Sequence, residues 1–208
     1  MKPVILFDLD GVIADSWESF FKASCPLMGT LGLEHLSKPE TILEMFEGNF
    51  ILNLLKEMHP RALTPDLQRQ LSDVLKQVME GCSPFDGIQQ ALSALAEQHT
   101  LFLVTSNDTE AARSFLNVHQ LNYFEEIVGS DKEPSKIRKI NTIQQRFPEQ
   151  SLYYVGDTLG DLLEASAANA IPVAAGWGWH DKATLMKGNP AYYLQQPSEL
   201  PQYFASLA

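Results

Sequence analysis

Two pairs of acids stand at the ends of apolar runs: Asp8 and Asp10 after Val4-Ile5-Leu6-Phe7, and Asp157 and Asp161 after Leu152-Tyr153-Tyr154-Val155. Strand side chains repeat with period two, so Asp8 and Asp10 project from one side. Like charges that close repel unless a cation or a shared proton intervenes. One reading is a metal site with a carboxylate nucleophile. The other is a turn that caps the following helix, since Asp and Gly both favour turns. Two more polar clusters bear on the choice: Ser106-Asn107 after Leu101–Val104, and Ser130-Asp131 after Ile127-Val128. Lysines at 132, 136 and 139 follow the second. Carboxylates at two strand ends, a hydroxyl at a third and lysines after a fourth are more than a sheet needs for its loops.

The elements that would hold these residues are legible. Val4–Phe7 reads as a fully buried strand. Asp15 is the expected cap of a helix over 16–29, with Glu18 at its third position. Helices follow at 39–58, with a break at Gly48, and at 64–80, where Thr64 caps and Leu67, Leu71, Val74, Leu75 and Val78 share a face. The pattern then alternates. Helices carrying Ile88, Leu92 and Leu95, then Ala112, Phe115 and Leu116, then Ile137, Ile140, Ile143 and Phe147, separate strands at 101–104, 127–128 and 152–155. A helix at 160–168 and a strand at 171–175 complete the series, with 192–194 as a further strand candidate. Such alternation predicts right-handed βαβ units and a parallel sheet, an α/β Rossmann-like core in three layers. The helical block at 16–82 is too long for an ordinary crossover and reads as an inserted cap domain, with 1–15 and 83–208 as the core. Ligands bind beyond the carboxyl ends of such strands, where the strand order reverses. All four polar clusters lie there.

Composition narrows the class. With 208 residues, 45% hydrophobic and 20% charged, the chain is long enough for a sizeable core. The net charge of −11 and the lack of a basic run disfavour a nucleic-acid partner. Cys25 and Cys82 form no CxxC pattern, which fits a reducing compartment. No apolar stretch approaches membrane-span length, and the apolar start is short and ends in acids, so no membrane and a cytoplasmic location are expected.

Asp8-Leu9-Asp10-Gly11-Val12, Val104-Thr105-Ser106-Asn107, Lys136 at a helix start and Gly156-Asp157-Thr158-Leu159-Gly160-Asp161 resemble, in this order, the four motifs of the haloacid dehalogenase superfamily of phosphohydrolases. The resemblance runs from about residue 4 to 180, and the helical insert matches the place of that superfamily's cap. The run from Asp10 to Ser16 is similar to the branch holding phosphoglycolate phosphatases and β-phosphoglucomutases. The resemblance implies that Asp8 is the nucleophile that becomes an aspartyl phosphate, and that Asp10 is the general acid and then base. It implies Mg²⁺ held by Asp8 and Asp157, by the Asp10 backbone carbonyl, and by Asp161 through a water or through its hold on Lys136. Ser106 and the Asn107 backbone N–H would bind a phosphoryl oxygen, Lys136 would balance its charge, and Gly11 would admit a sharp bend close to phosphate. Lys136 is preferred to Lys132 and Lys139 because it opens the amphipathic helix. The implied partner is a small phosphorylated metabolite, phosphoglycolate-like or a sugar phosphate, acted on by a monomer. A phosphomutase and a non-catalytic phosphate-binding module remain the alternatives.

Overall fold

In the computed structural model, residues 2–58 and 64–207 are described, apart from the side chains of residues 51, 55, 65–68, 71, 72, 75 and 76. Strand β1 (Val4–Phe7) is buried along its whole length, as its unbroken apolar run requires. It sits between β4 (Thr100–Val104) and β6 (Leu152–Gly156), with Phe7 level with Leu103 on one side and Val155 on the other. Outside these lie β5 (Glu126–Val128) next to β4, then β7 (Ile171–Ala175) and β8 (Tyr192–Leu194) next to β6. Every pairing in this six-stranded sheet, of order β5-β4-β1-β6-β7-β8, is parallel. The chain therefore builds outward from β1 in one direction and then crosses to the other side. That reversal puts the crevice at the carboxyl end of β1.

Strand alternation divides the core. Ile5, Phe7, Leu101, Leu103, Val155 and Val173 face one layer, with Ile88 and Leu92 of α5 (Ile88–Ala96), Phe115 of α6 (Thr109–Val118) and Phe204 of α10 (Leu200–Ala205). Val4, Leu6, Phe102, Val104, Leu152 and Tyr154 face the opposite layer, with Ile140 and Ile143 of α7 (Lys136–Arg146) and Ala165 of α8 (Leu159–Ala167). The three-layer α/β/α core is as expected. The short α9 (Lys182–Met186) precedes β8.

Between β2 (Ala14–Asp15) and β3 (Ser83–Pro84) the described residues are mainly helical: α1 (Trp17–Thr30), α2 (Pro39–Met45), α3 (Phe50–Glu57) and α4 (Pro65–Gly81). Leu27, Met28, Leu33, Leu36, Met45, Leu54 and Met58 form a cluster of their own, while Phe20, Ile42, Val78 and Met79 join the core. The expected inward side chains of Leu67, Leu71 and Leu75 lie outside the described residues, but Val78 is fully buried. The helix expected over 39–58 breaks at 46–49, around Gly48. One expectation is corrected: Asp15 does not cap α1. Its backbone is extended because it pairs with Ser83 in the antiparallel β2–β3 ribbon, and the cap position passes to Ser16, whose side chain makes no cap hydrogen bond.

Candidate active site

The ladder fixes Asp8, whose backbone N–H donates to the Val155 carbonyl at 3.0 Å just beyond the strand end. The chain then bends at Gly11, where φ is +74°, and a Cβ there would collide with the Asp157 carboxylate. Only glycine combines that dihedral with so close an approach. At the start of α8, Asp161 accepts from Thr158 N (3.2 Å) and Oγ1 (2.8 Å) through Oδ2, while Thr158 Oγ1 accepts from Asp161 N. This capping box orients the side chain so that Oδ1 accepts from Lys136 Nζ at 2.5 Å. The same ammonium donates to Asp8 Oδ2 at 2.8 Å and lies over the Tyr154 ring. Lys136 is thus the lysine that reaches the carboxylates. It is 5% exposed.

Asp8, Asp157 and Asp161 each place a carboxylate oxygen within 4.8 Å of the others. Among the described residues, Asp8 Oδ1, Asp10 Oδ1 and Asp157 Oδ1 are buried and unpartnered, whereas Asp157 Oδ2 accepts from Trp179 N at 2.8 Å. Burial pushes Asp8 up to about 7 against the pull of Lys136, with Asp161 adding to the rise. Burial also raises Asp10, partly offset by the Ser16 hydroxyl and the Asn107 amide beside it. Asp157 stands well above the usual carboxylate range through burial and the charges of Asp161 and Asp8. For Lys136, burial lowers the pKa, but Asp161 and Asp8 outweigh it and hold the ammonium protonated. Buried acceptors without donors are costly, and hard divalent cations take oxygen ligands. The donor set therefore fits such a cation.

Asn107 of the Ser106-Asn107 turn is held by both its backbone and its side chain. The Asn107 backbone N–H donates to Thr105 Oγ1 at 3.0 Å, and its side-chain Nδ2 reaches Asp10 Oδ2 at 3.3 Å. Ser106 is exposed, while Asn107 is buried.

Lys139, a rival to Lys136 in the sequence, is 1% exposed and donates to the Thr105 carbonyl. It lies one turn after Lys136 and next to the inward Ile140, a spacing that places it on the buried face. Burial and the neighbouring Lys136 lower its pKa to about 8 from an ordinary 10.5. Between those values the unfolded chain holds more protons than the folded one, so stability from this group rises with pH across the window. Relative to Lys139→Met, the wild-type thermal midpoint is therefore expected to climb from about pH 8 towards pH 10, by at most ~3 kcal/mol in stability. Parallel pH profiles for the two proteins would contradict a buried ammonium.

Trp179 and His180, in the aromatic-rich Gly176-Trp177-Gly178-Trp179-His180 loop, border the site. His180 Nδ1 accepts from Leu159 N at 3.0 Å, so Nε2 carries the proton and donates to Leu43 O of the inserted helices at 3.0 Å. Gly160 N donates to Phe46 O at 3.0 Å, and a Cβ on Gly160 would strike the carbonyls of Phe46 and Gly48. Asn49 to Glu164 (3.1 Å) and Lys187 to Glu47 (3.2 Å) complete a seam of contacts beside the carboxylates.

Residues 5–175 match the family of haloacid dehalogenase-like hydrolases. The chain belongs to that family. Among relatives of this hydrolase, a phosphoglycolate phosphatase of Aquifex aeolicus is 29% identical over 205 residues, covering 95% of this chain and 94% of its own. A 5′-nucleotidase of Pseudomonas aeruginosa is 26% identical over 216 residues, covering 98% and 96%. A haloacid dehalogenase-like hydrolase of Streptococcus pneumoniae shares the fold with a TM-score of 0.76 at 24% identity, covering 98% of each chain. Among the described residues, no helix is long and apolar enough to cross a membrane.

Proposed function

We propose that this hydrolase is a Mg²⁺-dependent phosphatase that cleaves a small phosphomonoester through an aspartyl phosphate on Asp8. One observation carries the reading: Asp8 gives one oxygen to Lys136 and keeps the other buried and unpartnered, alongside an equally orphaned oxygen of Asp157. Asp8 and Asp157 would hold the cation through those oxygens, with the Asp10 backbone carbonyl as a further ligand and Asp161 acting through a water and its grip on Lys136. When bound, the cation would offset the repulsion between the Asp8 carboxylate and the phosphate and polarise a phosphoryl oxygen.

In the first half-reaction an Asp8 oxygen bonds to phosphorus, the ester bond breaks, and Asp10 gives its proton to the departing alkoxide. In the second, Asp10 takes a proton from water as that water attacks the aspartyl phosphate, releasing phosphate and restoring Asp8. Burial raises the Asp10 pKa, which favours the protonated form it needs as an acid, and Asn107 steers the carboxyl by its hydrogen bond. Lys136 neutralises charge on Asp8 and on the phosphoryl group. Ser106, exposed beside this turn, is the proposed hydroxyl partner of a phosphoryl oxygen. Gly11 lets the backbone pass close to the phosphate. Residues 16–82 form the cap in this reading, and 1–15 with 83–208 the catalytic core. The unpaired Cys25 and Cys82 suit the cytoplasm. The names of the relatives support phosphate-ester substrates, phosphoglycolate among them.

Phosphate release from a panel of phosphomonoesters, with Mg²⁺ or with chelator, tests the reading, and chelator is expected to abolish turnover. Asp10→Asn should lose ~10²–10⁴-fold on alkyl phosphates and less on an aryl phosphate, whose leaving group needs little protonation. Equal losses on both would remove Asp10 as general acid.

A further inference from the structure

Two buried donors lie beside the carboxylates. Ser16 Oγ is wholly buried and sits next to the Asp10 carboxyl. Trp179 Nε1 is also buried and unpartnered, on the residue whose backbone N–H holds Asp157. Aromatic rings surround this indole. Trp17, Phe20 and Phe46 have centroids 5.3, 5.1 and 4.9 Å from it, and Phe50 stacks on Phe46 at 4.5 Å. Each ring-bearing segment is tied to the site: Trp17 follows Ser16, Phe46 O accepts from Gly160 between the two acids of the loop, and Trp179 binds Asp157.

The same segments lack positive charge. Residues 16–21, 42–50 and 176–181 contain Glu18, Glu44, Glu47 and Asp181 but no Lys or Arg. His180 has both ring nitrogens engaged by the backbone. A leaving group with a second anion, such as glycolate, would meet electron-rich ring faces and acids, while the lysine of the seam, Lys187, is already paired with Glu47. A flat, neutral leaving group meets ring faces that complement it, and its oxygens or nitrogens can accept from Trp179 Nε1.

Resting on the phosphatase reading, we propose that the site selects phosphomonoesters of uncharged alcohols that carry a planar ring, an aryl alcohol or a nucleoside, over esters bearing a second anion. The ring packs among Trp179, Phe46 and Phe20 at the cap–core seam. Admitting it requires the seam to part on the side of Phe46, whose carbonyl accepts from Gly160 N.

The experiment compares kcat/KM for a nucleoside 5′-monophosphate, benzyl phosphate, ribose 5-phosphate and phosphoglycolate. All four leave as alkoxides, so leaving-group activation does not dominate the ranking. The nucleotide or benzyl ester is expected to exceed both ribose 5-phosphate and phosphoglycolate by roughly tenfold or more. Which of the two leads tells nucleoside from simple aryl alcohol. Phe46→Leu keeps apolar volume without the ring and should lower kcat/KM for the ring-bearing ester more than for ribose 5-phosphate. A separate arm titrates Asp8→Asn protein with the nucleotide, benzyl phosphate and inorganic phosphate, reading tryptophan fluorescence. A ring-bearing ester is expected to bind more tightly than inorganic phosphate.

If phosphoglycolate or ribose 5-phosphate is hydrolysed as well as the ring-bearing esters, and those bind no better than phosphate, the inference is overturned and the phosphatase reading stands. If no ester turns over but a ring-bearing one binds the tightest, the phosphatase reading fails and the subsite stands. Failure in both arms overturns both.

Discussion

Asp8→Asn is expected to reduce turnover below about 1% of wild type while leaving the fold intact. The carboxamide cannot form the bond to phosphorus, and even one proton-transfer group contributes ~10²–10⁴-fold, so losing the bond-forming atom should exceed the lower end of that range. The fold should tolerate the change because the amide nearly matches the carboxylate in shape, and its oxygen can still accept from Lys136 at the 2.8 Å position. It also removes a group that burial and Asp161 drive up to about 7. Without added cation, the thermal midpoint of the variant should equal or exceed that of wild type. Phosphate-release kinetics and thermal denaturation on the same preparation check both halves. A well-folded variant retaining several per cent of activity would mean that another group attacks phosphorus.

Lys136→Ala is expected to be the second most damaging change. Its ammonium bridges Asp8 and Asp161 in a buried site, where one preorganised electrostatic contact is worth ~2.7–4 kcal/mol in the transition state, roughly 10²–10³-fold in rate. Removing it also strands two buried carboxylate oxygens, a change that costs about 3–5 kcal/mol of stability. Lys136→Met, which keeps most of the buried side-chain volume, limits the packing loss if alanine unfolds the protein. Lys132→Ala makes the contrast: its side chain is 41% exposed and its Nζ reaches Ile127 O and Glu126 rather than the buried acids, so activity should stay near wild type. Kinetics at saturating and limiting substrate, with circular dichroism on each variant, decide the matter. Greater sensitivity at Lys132 than at Lys136 would contradict the geometry.

The elements of the core were readable because each obeys a local rule. Val4–Phe7 is apolar throughout because both of its faces are covered, and α7 shows Ile140 and Ile143 at helical spacing against the sheet. The acids Asp8, Asp157 and Asp161 were readable for a related reason: a strand end followed by Asp leaves few places for the side chain to go. The left-handed backbone of Asn169 (φ +58°) likewise follows from its place after a helix. What stayed hidden depends on contacts between distant segments. Asp15 looks like a cap until Ser83, far along the chain, claims its backbone for a ribbon. Lys139 looks solvated because lysine usually is, although its spacing from Lys136 and Ile140 marked the inward face. His180 joins Leu159 to Leu43, and no local pattern announces a ring whose partners lie on two separate elements. The Asn107 side chain likewise reaches Asp10, a distant partner that no local pattern announces.

The central claim is covalent: phosphorus passes to Asp8. Enzyme mixed with substrate and Mg²⁺, quenched within a turnover and reduced with borohydride, converts an aspartyl phosphate to homoserine at the modified position, which peptide mass spectrometry locates. Homoserine at position 8, dependent on substrate and enriched in Asp10→Asn where hydrolysis of the intermediate is slowed, is the predicted result. Steady turnover with position 8 unmodified under every quench, or homoserine at another acid such as position 157, would contradict it.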